Sequence, residues 1–518
     1  MWPTRTFKER KKLLTLPNEI WLHIASFISK DCLVKLYFVC TPLFELAMNE
    51  IYREVRLYHP GDPSTNRCLR AMDSAAAARV RSLVLRPHLL ASGQSKKISF
   101  LPDTKDHKIG KLVFKFFERN GKLLETPEEV ASRVLLGNIT QMVKLESLVV
   151  GCYPMDSWMS FNKSSSFLNA AWTQAATLRS VTLDLPMECM ANVLSRIPFL
   201  PSLQHLKVSL RQAWLSSTDL DSVYDRVAAF INSQSSTLTQ LAVDSPSSTP
   251  WSLLGTSRVF NVIEYLPKIK EIYLGIPVEL LGSTISIDEC LKKHDNQLQA
   301  LRLILHGPGP TTSLVPLPHP GTLFQHSIFK LAFPVLETLD LSLLPWRFEY
   351  GGHISTNLTT CLVTYLSQFR QNLQNLVIWN CAITESQIQA VVSVLSHRST
   401  KLRTLKLRSQ TLNGAIMDLL AEGLPDLREL DITIDTIGIS DAAVSHYTYR
   451  ADHRQFTYDM ETRVYKDWGL RHLKVSPLYY SNWEGCRKAL CDSLPQVITF
   501  NGCSRAEFPH NPVYTDFT

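Results

Sequence analysis

The hydrophobic pattern that recurs most often along the chain is apolar-x-x-apolar-x-apolar. Clear copies are "LRTLKL" from Leu402 and "LRELDI" from Leu427. Most copies start 25 residues (Leu178 to Leu203) to 38 residues (Leu298 to Leu336) after the previous one. The alternation of apolar and polar positions predicts one short strand per copy. The twelve copies begin at Val80, Leu145, Leu178, Leu203, Leu238, Ile269, Leu298, Leu336, Leu373, Leu402, Leu427 and Leu470.

A helical pattern precedes many of these strands. In "LDSVYDRVAAFINSQSSTLTQLAV", apolar residues first recur at three-to-four spacing and then at alternate positions. One helix with one strand cannot bury both of its apolar faces, whereas stacked neighbours bury them in one continuous core. Right-handed crossovers pair such strands in parallel and put the helices on one side. The sequence therefore predicts an α/β solenoid, with a parallel sheet on the concave face and helices on the convex face.

This arrangement resembles the leucine-rich repeat family, in a degenerate form, over residues 80–505. The repeats are longer than the 20 to 29 residues usual for that family. The asparagine or cysteine that normally follows the strand is mostly missing, although "LQNLVIWNC" from Leu373 comes close. A weaker copy, "IGKLVF" from Ile109, divides the longest interval between copies.

Alternation along a strand also predicts which side chains point away from the core. The third and fifth residues of each copy share the open face of the sheet, and Trp379 and Arg408 are added to the candidates on it. This face is the candidate substrate surface, and Arg302, Lys406 and Arg408 are a faint candidate cluster for phosphate. The face mixes acidic, basic and aromatic residues, so it does not indicate a class of ligand. For each residue, the alternative to a binding role is simple exposure to solvent. The candidates are Lys207, Tyr273, Arg302, Asp340, Trp379, Lys406, Arg408, Asp431 and Lys474.

Two stretches interrupt the repeat spacing. Residues 306–321 are rich in proline and glycine, and residues 448–468 are polar, charged and aromatic. Loops inserted in a solenoid often carry binding residues, but they can equally be tolerated surface excursions. Both interpretations are open for these two stretches.

Residues 13–57 have a different pattern, which predicts three short helices. Ile20, Ile24, Phe27 and Ile28 form one apolar stripe, and "SKD" before Cys32 offers cap residues for a second helix. Pro42 permits a third helix to start. Three short helices with these stripes carry more apolar surface than they can hide among themselves.

This segment resembles an F-box, in the form found in fungal proteins. Two positions depart from the family pattern: Cys32 replaces an acidic residue, and Phe44 replaces a tryptophan. An alternative is that residues 13–57 are a helical cap, such as terminal repeats need. The residues that match the apolar pattern of the family are Leu16, Pro17, Ile20, Ile24, Ile28, Leu33, Leu36, Val39 and Cys40.

The F-box resemblance implies that these nine residues dock on a Skp-type adaptor. Through the adaptor the chain would join a cullin–RING ubiquitin ligase of the SCF type, as its substrate-recognition subunit. The repeats would hold an unknown protein substrate for ubiquitin-dependent degradation. The alternative is a repeat scaffold that binds other proteins without any link to ubiquitin.

Charge and composition limit the expected partners and cellular compartment of the chain. The net charge of +7 is small for 518 residues, so no nucleic-acid partner is expected. No apolar run is long enough to cross a membrane, and no secretory signal is expected at the N-terminus. The eleven cysteines include no C-x-x-C pair, which favours reduced thiols in the cytoplasm or the nucleus.

No enzyme motif was found. The chain lacks a G-x-x-x-x-G-K-[ST] loop, H-E-x-x-H and G-x-S-x-G, and Cys486, Cys491 and Cys503 lack metal-ligand spacing. We therefore expect no catalytic residue, metal or cofactor.

The predicted organisation is a basic lead-in (1–12), the F-box (13–57), a linker with a helix (58–79), the repeats (80–505) and a tail (506–518).

Overall fold

A computed structural model describes thirteen stretches of the chain, and it divides the chain into two compact units. Unit 1 comprises residues 1–184 and 195–203, and unit 2 comprises residues 185–194 and 204–518. The basic lead-in, the weak copy at Ile109, residues 307–321 and residues 509–518 lie outside the described residues. The described residues are 16–58, 65, 72–86, 127–152, 165–211, 220–246, 250–277, 285–306, 326–343, 356–396, 401–438, 453–477 and 484–508.

Unit 1 begins with three helices and continues as a parallel sheet with intervening helices. The central strand residues Val55, Leu83, Leu148 and Val181 pair in that order and are buried. The elements are α1 (Asn18–Ser26), α2 (Lys30–Lys35), α3 (Thr41–Ile51), β1 (Glu54–Leu57), α4 (Ser74–Ala77), β2 (Ser82–Leu85), α5 (Pro127–Thr140), β3 (Ser147–Gly151), α6 (Ser165–Trp172) and β4 (Ser180–Pro186), of which residues 180–184 belong to this unit.

Unit 2 repeats the same alternation of helix and strand. Its strands are β5 (His205–Arg211), β6 (Gln240–Asp244), β7 (Glu271–Pro277), β8 (Ala300–His306), β9 (Thr338–Leu343), β10 (Asn375–Ile383), β11 (Thr404–Leu412), β12 (Glu429–Ile437), β13 (His472–Pro477), β14 (Thr499–Phe500) and β15 (Cys503–Ser504). Its helices are α7 (Met187–Leu194), α8 (Leu220–Ser233), α9 (Pro250–Val262), α10 (Ile285–Lys292), a 3-10 turn (Ser327–Lys330), α11 (Thr356–Ser367), α12 (Glu385–Leu395), α13 (Gly414–Gly423), α14 (His453–Glu461) and α15 (Glu484–Ser493).

The strands of unit 2 are parallel from β5 to β14, and β15 folds back antiparallel on β14. One buried apolar residue from each parallel strand forms a continuous column in the core. Consecutive strands bond along their length, and consecutive helices pack on one another. The column consists of Leu206, Leu241, Ile272, Leu301, Leu339, Leu376, Leu405, Leu430, Leu473 and Phe500.

The α/β fold class predicted from the sequence is confirmed: short helices precede parallel-sheet repeats of the leucine-rich type. Each of the twelve copies of the pattern forms a strand that starts two residues after the copy begins, as Thr404 follows Leu402. The first apolar residue of a copy, such as Leu402, is buried before the strand begins. The pattern therefore marks the turn into the strand as well as the strand itself.

The same backbone contact starts each repeat strand. The carbonyl of Gln374 accepts the N–H groups of Arg403 at 2.8 Å and Thr404 at 3.0 Å. The carbonyl of Arg403 in turn accepts those of Arg428 at 2.8 Å and Glu429 at 2.9 Å. We call the residues whose carbonyls act in this way the start column. In unit 2 it consists of Gln204, Thr239, Lys270, Gln299, Glu337, Gln374, Arg403, Arg428 and Arg471.

Three segments differ from the sequence prediction. Strand β1 lies within the segment assigned to the F-box and pairs with β2, so the sheet begins at Glu54 rather than at residue 80. Phe508, assigned to the tail, is buried and stacks on Phe500 with ring centroids 5.0 Å apart. Within the stretch 448–468, helix α14 packs on α15 and buries Phe456 and Met460. That part of the stretch is therefore a repeat helix with a narrow apolar stripe.

No helix within the described ranges is both long enough and apolar enough to cross a membrane.

Gly255 in α9 provides a test of how closely the helices pack in unit 2. A Cβ atom at this position would lie 1.9 Å from Cε2 of the buried Tyr224 ring in α8. We expect Gly255→Ala to lower the free energy of unfolding by about 1–3 kcal/mol, because the helices must separate or the ring must move. Chemical denaturation of the variant and the wild type measures this loss.

Gly485 in α15 is the matched control, because a Cβ there has no other atom within 4 Å. Gly485→Ala should leave stability unchanged or raise it by less than about 1 kcal/mol. Equal effects of the two substitutions would show that α8 and α9 do not pack as closely as described.

Candidate functional site

The three N-terminal helices form the first candidate surface. The Ser29 hydroxyl caps α2 by accepting the N–H of Cys32 at 3.4 Å, and Pro42 lies in the first turn of α3. Lys30 in α2 reaches Glu50 in α3 at 2.9 Å, and the hydrogen bond from Lys30 lowers the pKa of Glu50. These contacts fix the helix boundaries and join α2 to α3.

Most of the apolar side chains on these helices remain accessible. None of the residues of α1 is buried, and the buried positions of α3 are Leu43 and Ala47. Ile20 is 44% exposed, although an isoleucine in the core of either unit is almost fully buried. Of the nine residues that match the F-box pattern, five are exposed: Leu16, Pro17, Ile20, Ile24 and Val39. The other four are partly buried: Ile28, Leu33, Leu36 and Cys40.

The most exposed aromatic residues of this surface were not among the nine. Phe27 is 78% exposed and Phe38 is 72% exposed. Phe27 directly follows α1, which ends at Ser26, two residues before the apolar stripe ends at Ile28. Phe38 precedes Val39 and Cys40 of the F-box pattern. Its exposure depends on the turn after α2, which the apolar pattern does not specify.

The open face of the sheet in unit 2 is the second candidate surface. Strand register places one row of residues side by side across nine strands, from β5 to β13. This row contains seven of the nine candidate substrate residues, and Trp379 and Arg408 lie two positions further along their strands. The row consists of Lys207, Ala242, Tyr273, Arg302, Asp340, Val377, Lys406, Asp431 and Lys474.

Charges of opposite sign alternate along this row from Arg302 to Lys474. Arg302 pairs in register with Asp340, and Lys474 Nζ lies 3.5 Å from a carboxylate oxygen of Asp431. Burial raises the pKa of Asp340, whereas the positive charges of Arg302 and Lys406 act in the opposite direction. The row therefore balances much of its own charge.

The phosphate cluster considered for Arg302, Lys406 and Arg408 does not form. Arg302 lies on β8 and Lys406 on β11, with Asp340 and Val377 between them in the row. Arg408 donates from Nε at 3.1 Å and from Nη2 at 2.9 Å to the same carboxylate oxygen of Asp435. Alternation alone placed these residues on one face but could not show how far apart they lie or which acid pairs with them.

Sequence reasoning missed a pair on the same face. His306 Nε2 lies 2.7 Å from Asp244 Oδ1, above Gly275, whose missing side chain leaves room for the contact. The neighbouring Tyr273 has its pKa raised to about 12, chiefly by burial and then by the charges of Asp244 and Asp340. Lys207 Nζ lies 5.7 Å from the centre of the Tyr273 ring. This pocket of polar groups offers hydrogen-bond donors and acceptors to a bound protein.

Comparisons with known proteins give little beyond this geometry. No protein-family model matches the chain, and no curated protein matches it either. Among solved structures, a crystal structure of the Rad7 and Elc1 complex in yeast matches with a TM-score of 0.32 and 12% sequence identity. The match covers 61% of this chain and 76% of that chain. At this distance, function has to be argued from the residues of this chain.

Asp340 allows the electrostatics of the open face to be tested by pH. Because its pKa is raised in the folded state, ionisation of Asp340 costs stability as the pH rises from its unfolded value of about 3.9. We expect Asp340→Asn to raise the free energy of unfolding at pH 7. This gain should shrink as the pH falls from the raised folded pKa towards about 3.9, and it should vanish below that value. Urea denaturation at several pH values measures both quantities.

Asp467 is an exposed aspartate in the same unit, and Asp467→Asn is the control. It should change the free energy of unfolding at pH 7 by less than about 0.5 kcal/mol, as substitutions of exposed residues usually do. A lower stability of Asp340→Asn at pH 7 would mean that attraction to Arg302 and Lys406 outweighs the cost of burial.

Proposed function

We propose that this chain is the substrate-recognition subunit of a cullin–RING ubiquitin ligase of the SCF type. Helices α1–α3 dock on a Skp-type adaptor, and the repeats hold a protein substrate. The observation that carries the proposal is the exposure of apolar residues on α1 and α2. They match the F-box pattern in sequence, and the chain leaves them accessible to a second protein.

The energetics of such an interface support the proposal. Burying one leucine or isoleucine side chain fully contributes about 1.5–3 kcal/mol, so a few anchors are enough for a stable contact. A helical cap that only closed the repeats would present a polar outer face. Helices α1 and α2 instead present Ile20, Ile24 and Leu33 with the aromatic Phe27 beside them.

In this role the chain itself makes and breaks no covalent bond. It brings a bound substrate close to a ubiquitin-loaded enzyme, which raises the effective concentration of the two reactants. The buried thiols fit such a passive role, because burial raises the pKa of Cys290 to about 12 and that of Cys491 to about 11. Thiols held protonated in this way are poor nucleophiles. The proposed location is the cytoplasm or the nucleus.

Ile20→Asp tests the docking surface. A charge in the centre of an apolar interface should weaken adaptor binding by at least about 30-fold, which corresponds to the loss of about 2 kcal/mol typical of an anchor residue. Co-purification with the adaptor, followed by titration of the purified proteins, measures the loss. The repeats should keep their thermal unfolding midpoint, because Ile20 is not part of a core.

Val262→Asp is the matched control, because Val262 lies on α9 in the repeats and is also 44% exposed. It should bind the adaptor as the wild type does. Undiminished adaptor binding by Ile20→Asp, or an equal loss in both variants, would contradict docking through α1–α3. Failure of the wild type to bind any Skp-type adaptor would favour a repeat scaffold without a link to ubiquitin.

We further expect the chain to carry no ubiquitin on its own cysteines. Incubation of the chain and adaptor with ubiquitin, its activating enzyme and a loaded conjugating enzyme should give no ubiquitin adduct of this chain that a thiol reductant cleaves. Gel electrophoresis with and without the reductant measures this. A reductant-sensitive adduct would identify a covalent ligase and overturn the passive role.

A further inference from the structure

A cleft of about 560 Å³ opens where strands β11, β12 and β13 begin. Four cationic side chains and one carboxylate line it. This differs from the open face of the sheet, where acidic and basic residues alternate. The lining residues are Lys401, Arg403, Asp426, Arg428, Gly469 and Arg471.

The start column brings the three arginines together. The carbonyl of Arg403 accepts the N–H of Arg428, and the carbonyl of Arg428 accepts the N–H of Arg471, both at 2.8 Å. Neighbouring strands lie about 4.8 Å apart. The backbone positions of Arg403 and Arg471 are therefore about 10 Å apart, with Arg428 between them. The repeat geometry therefore places three guanidinium groups beside one another.

Among the described residues, these arginines have no acidic partner of the kind that Arg463 and Arg258 have. Arg463 lies 2.9 Å from Asp418, and Arg258 lies 2.6 Å from Asp225. Within the part of the chain that the structure describes, neither Arg403 nor Arg428 forms a side-chain hydrogen bond or an ion pair, and both are exposed. Their donors are available to a ligand.

The third arginine and the glycine of the lining are both held in place. Arg471 Nη1 donates to Gln496 Oε1 at 3.0 Å, which leaves its other guanidinium nitrogens available. Gly469 donates its N–H to the carbonyl of Pro425 at 2.9 Å, and a Cβ at Gly469 would lie 2.8 Å from that oxygen. Only glycine allows this close approach of the two backbone segments at the cleft.

We propose that this cleft binds a phosphate monoester carried by a phosphorylated protein segment. The planar fork of an arginine matches two phosphate oxygens, and a phosphorylated side chain carries a charge of about −1.5 to −2 at pH 7. Several adjacent guanidinium groups without acidic partners favour such a multiply charged anion. The cleft is also large enough for the residues on either side of the phosphate.

The extent of the positive charge favours one phosphate group over a nucleic-acid strand. The start column continues with the uncharged Gln374 on one side, and Ile498 follows Arg471 on the other. The charge therefore spans only about two strand spacings, or about 10 Å. Asp426, the carboxylate of the lining, would oppose a long run of phosphates but can accept an N–H group of a peptide.

As an assignment of the substrate class, this inference rests on the proposed ligase function, whereas binding in the cleft does not require the adaptor. The probe is a fluorescent peptide of about ten residues that contains one phosphoserine among glycine, alanine and serine. We expect the chain to bind it at least about tenfold more tightly than the unphosphorylated peptide, because charge-assisted hydrogen bonds replace neutral ones. Fluorescence anisotropy measures both affinities.

The double variant Arg403→Gln with Arg428→Gln should lose this preference for the phosphorylated peptide. The matched control is Arg226→Gln with Arg454→Gln, which removes two charges from exposed arginines of α8 and α14 and should keep the preference. Arg428→Lys keeps the charge but not the fork, and it should lose only part of the affinity. Arg403 and Arg428 are exposed and lie outside the core. Unchanged thermal unfolding midpoints would confirm that their variants fold.

Three results would overturn the proposal. One is equal binding of the phosphorylated and unphosphorylated peptides, and another is an equal loss of preference in the control variant Arg226→Gln with Arg454→Gln. The third is tighter binding of free phosphoserine or of a ten-nucleotide uridine RNA than of the phosphopeptide, since either would exclude a protein segment as the favoured ligand. Adaptor binding, measured separately, should be unchanged in the double variant. If the wild type binds the phosphopeptide but no adaptor, the ligase function is contradicted and the proposal for the cleft is not.

Discussion

Each repeat depends on one backbone contact, in which a carbonyl of the start column accepts two consecutive N–H groups of the next repeat. This contact fixes the register of the following strand, because a parallel strand shifted by one residue would turn its apolar side chains to the open face. The column of buried residues from Leu206 to Phe500 in unit 2 exists only while that register holds. Core packing, the charged row on the open face and the arginine cleft all follow from it.

The part of the fold that sequence predicts well is the part that this contact repeats. The pattern that begins at Leu402 or Leu427 combines a buried turn residue with an alternating strand, and twelve copies are strong support where one would be weak. Segments outside the repeat were harder. Strand β1 has a short alternating stretch but no preceding leucine of the pattern. Phe508 is buried through contacts such as its stacking on Phe500, which the spacing of the pattern does not indicate.

The sequence predicted on which face of the sheet the site residues lie, but it did not predict which residues surround them. Alternation placed Arg302, Lys406 and Arg408 on one side of the sheet, but their distances depend on how many strands lie between them. Asp435, which holds Arg408, is 27 residues away in sequence. The three arginines of the cleft occupy the second position of their copies, which carries no apolar signal. A comparison of that position between successive copies could have revealed them.

The start column also separates folding from recognition at the amino ends of the strands. Its members include glutamine, threonine, lysine, glutamate and arginine, because the contact that repeats is made by their carbonyl and N–H groups. Their side chains are thus free to vary without disturbing the core. A lineage of such proteins could acquire a new ligand preference along this edge through single-residue replacements, while the scaffold that carries them stays the same.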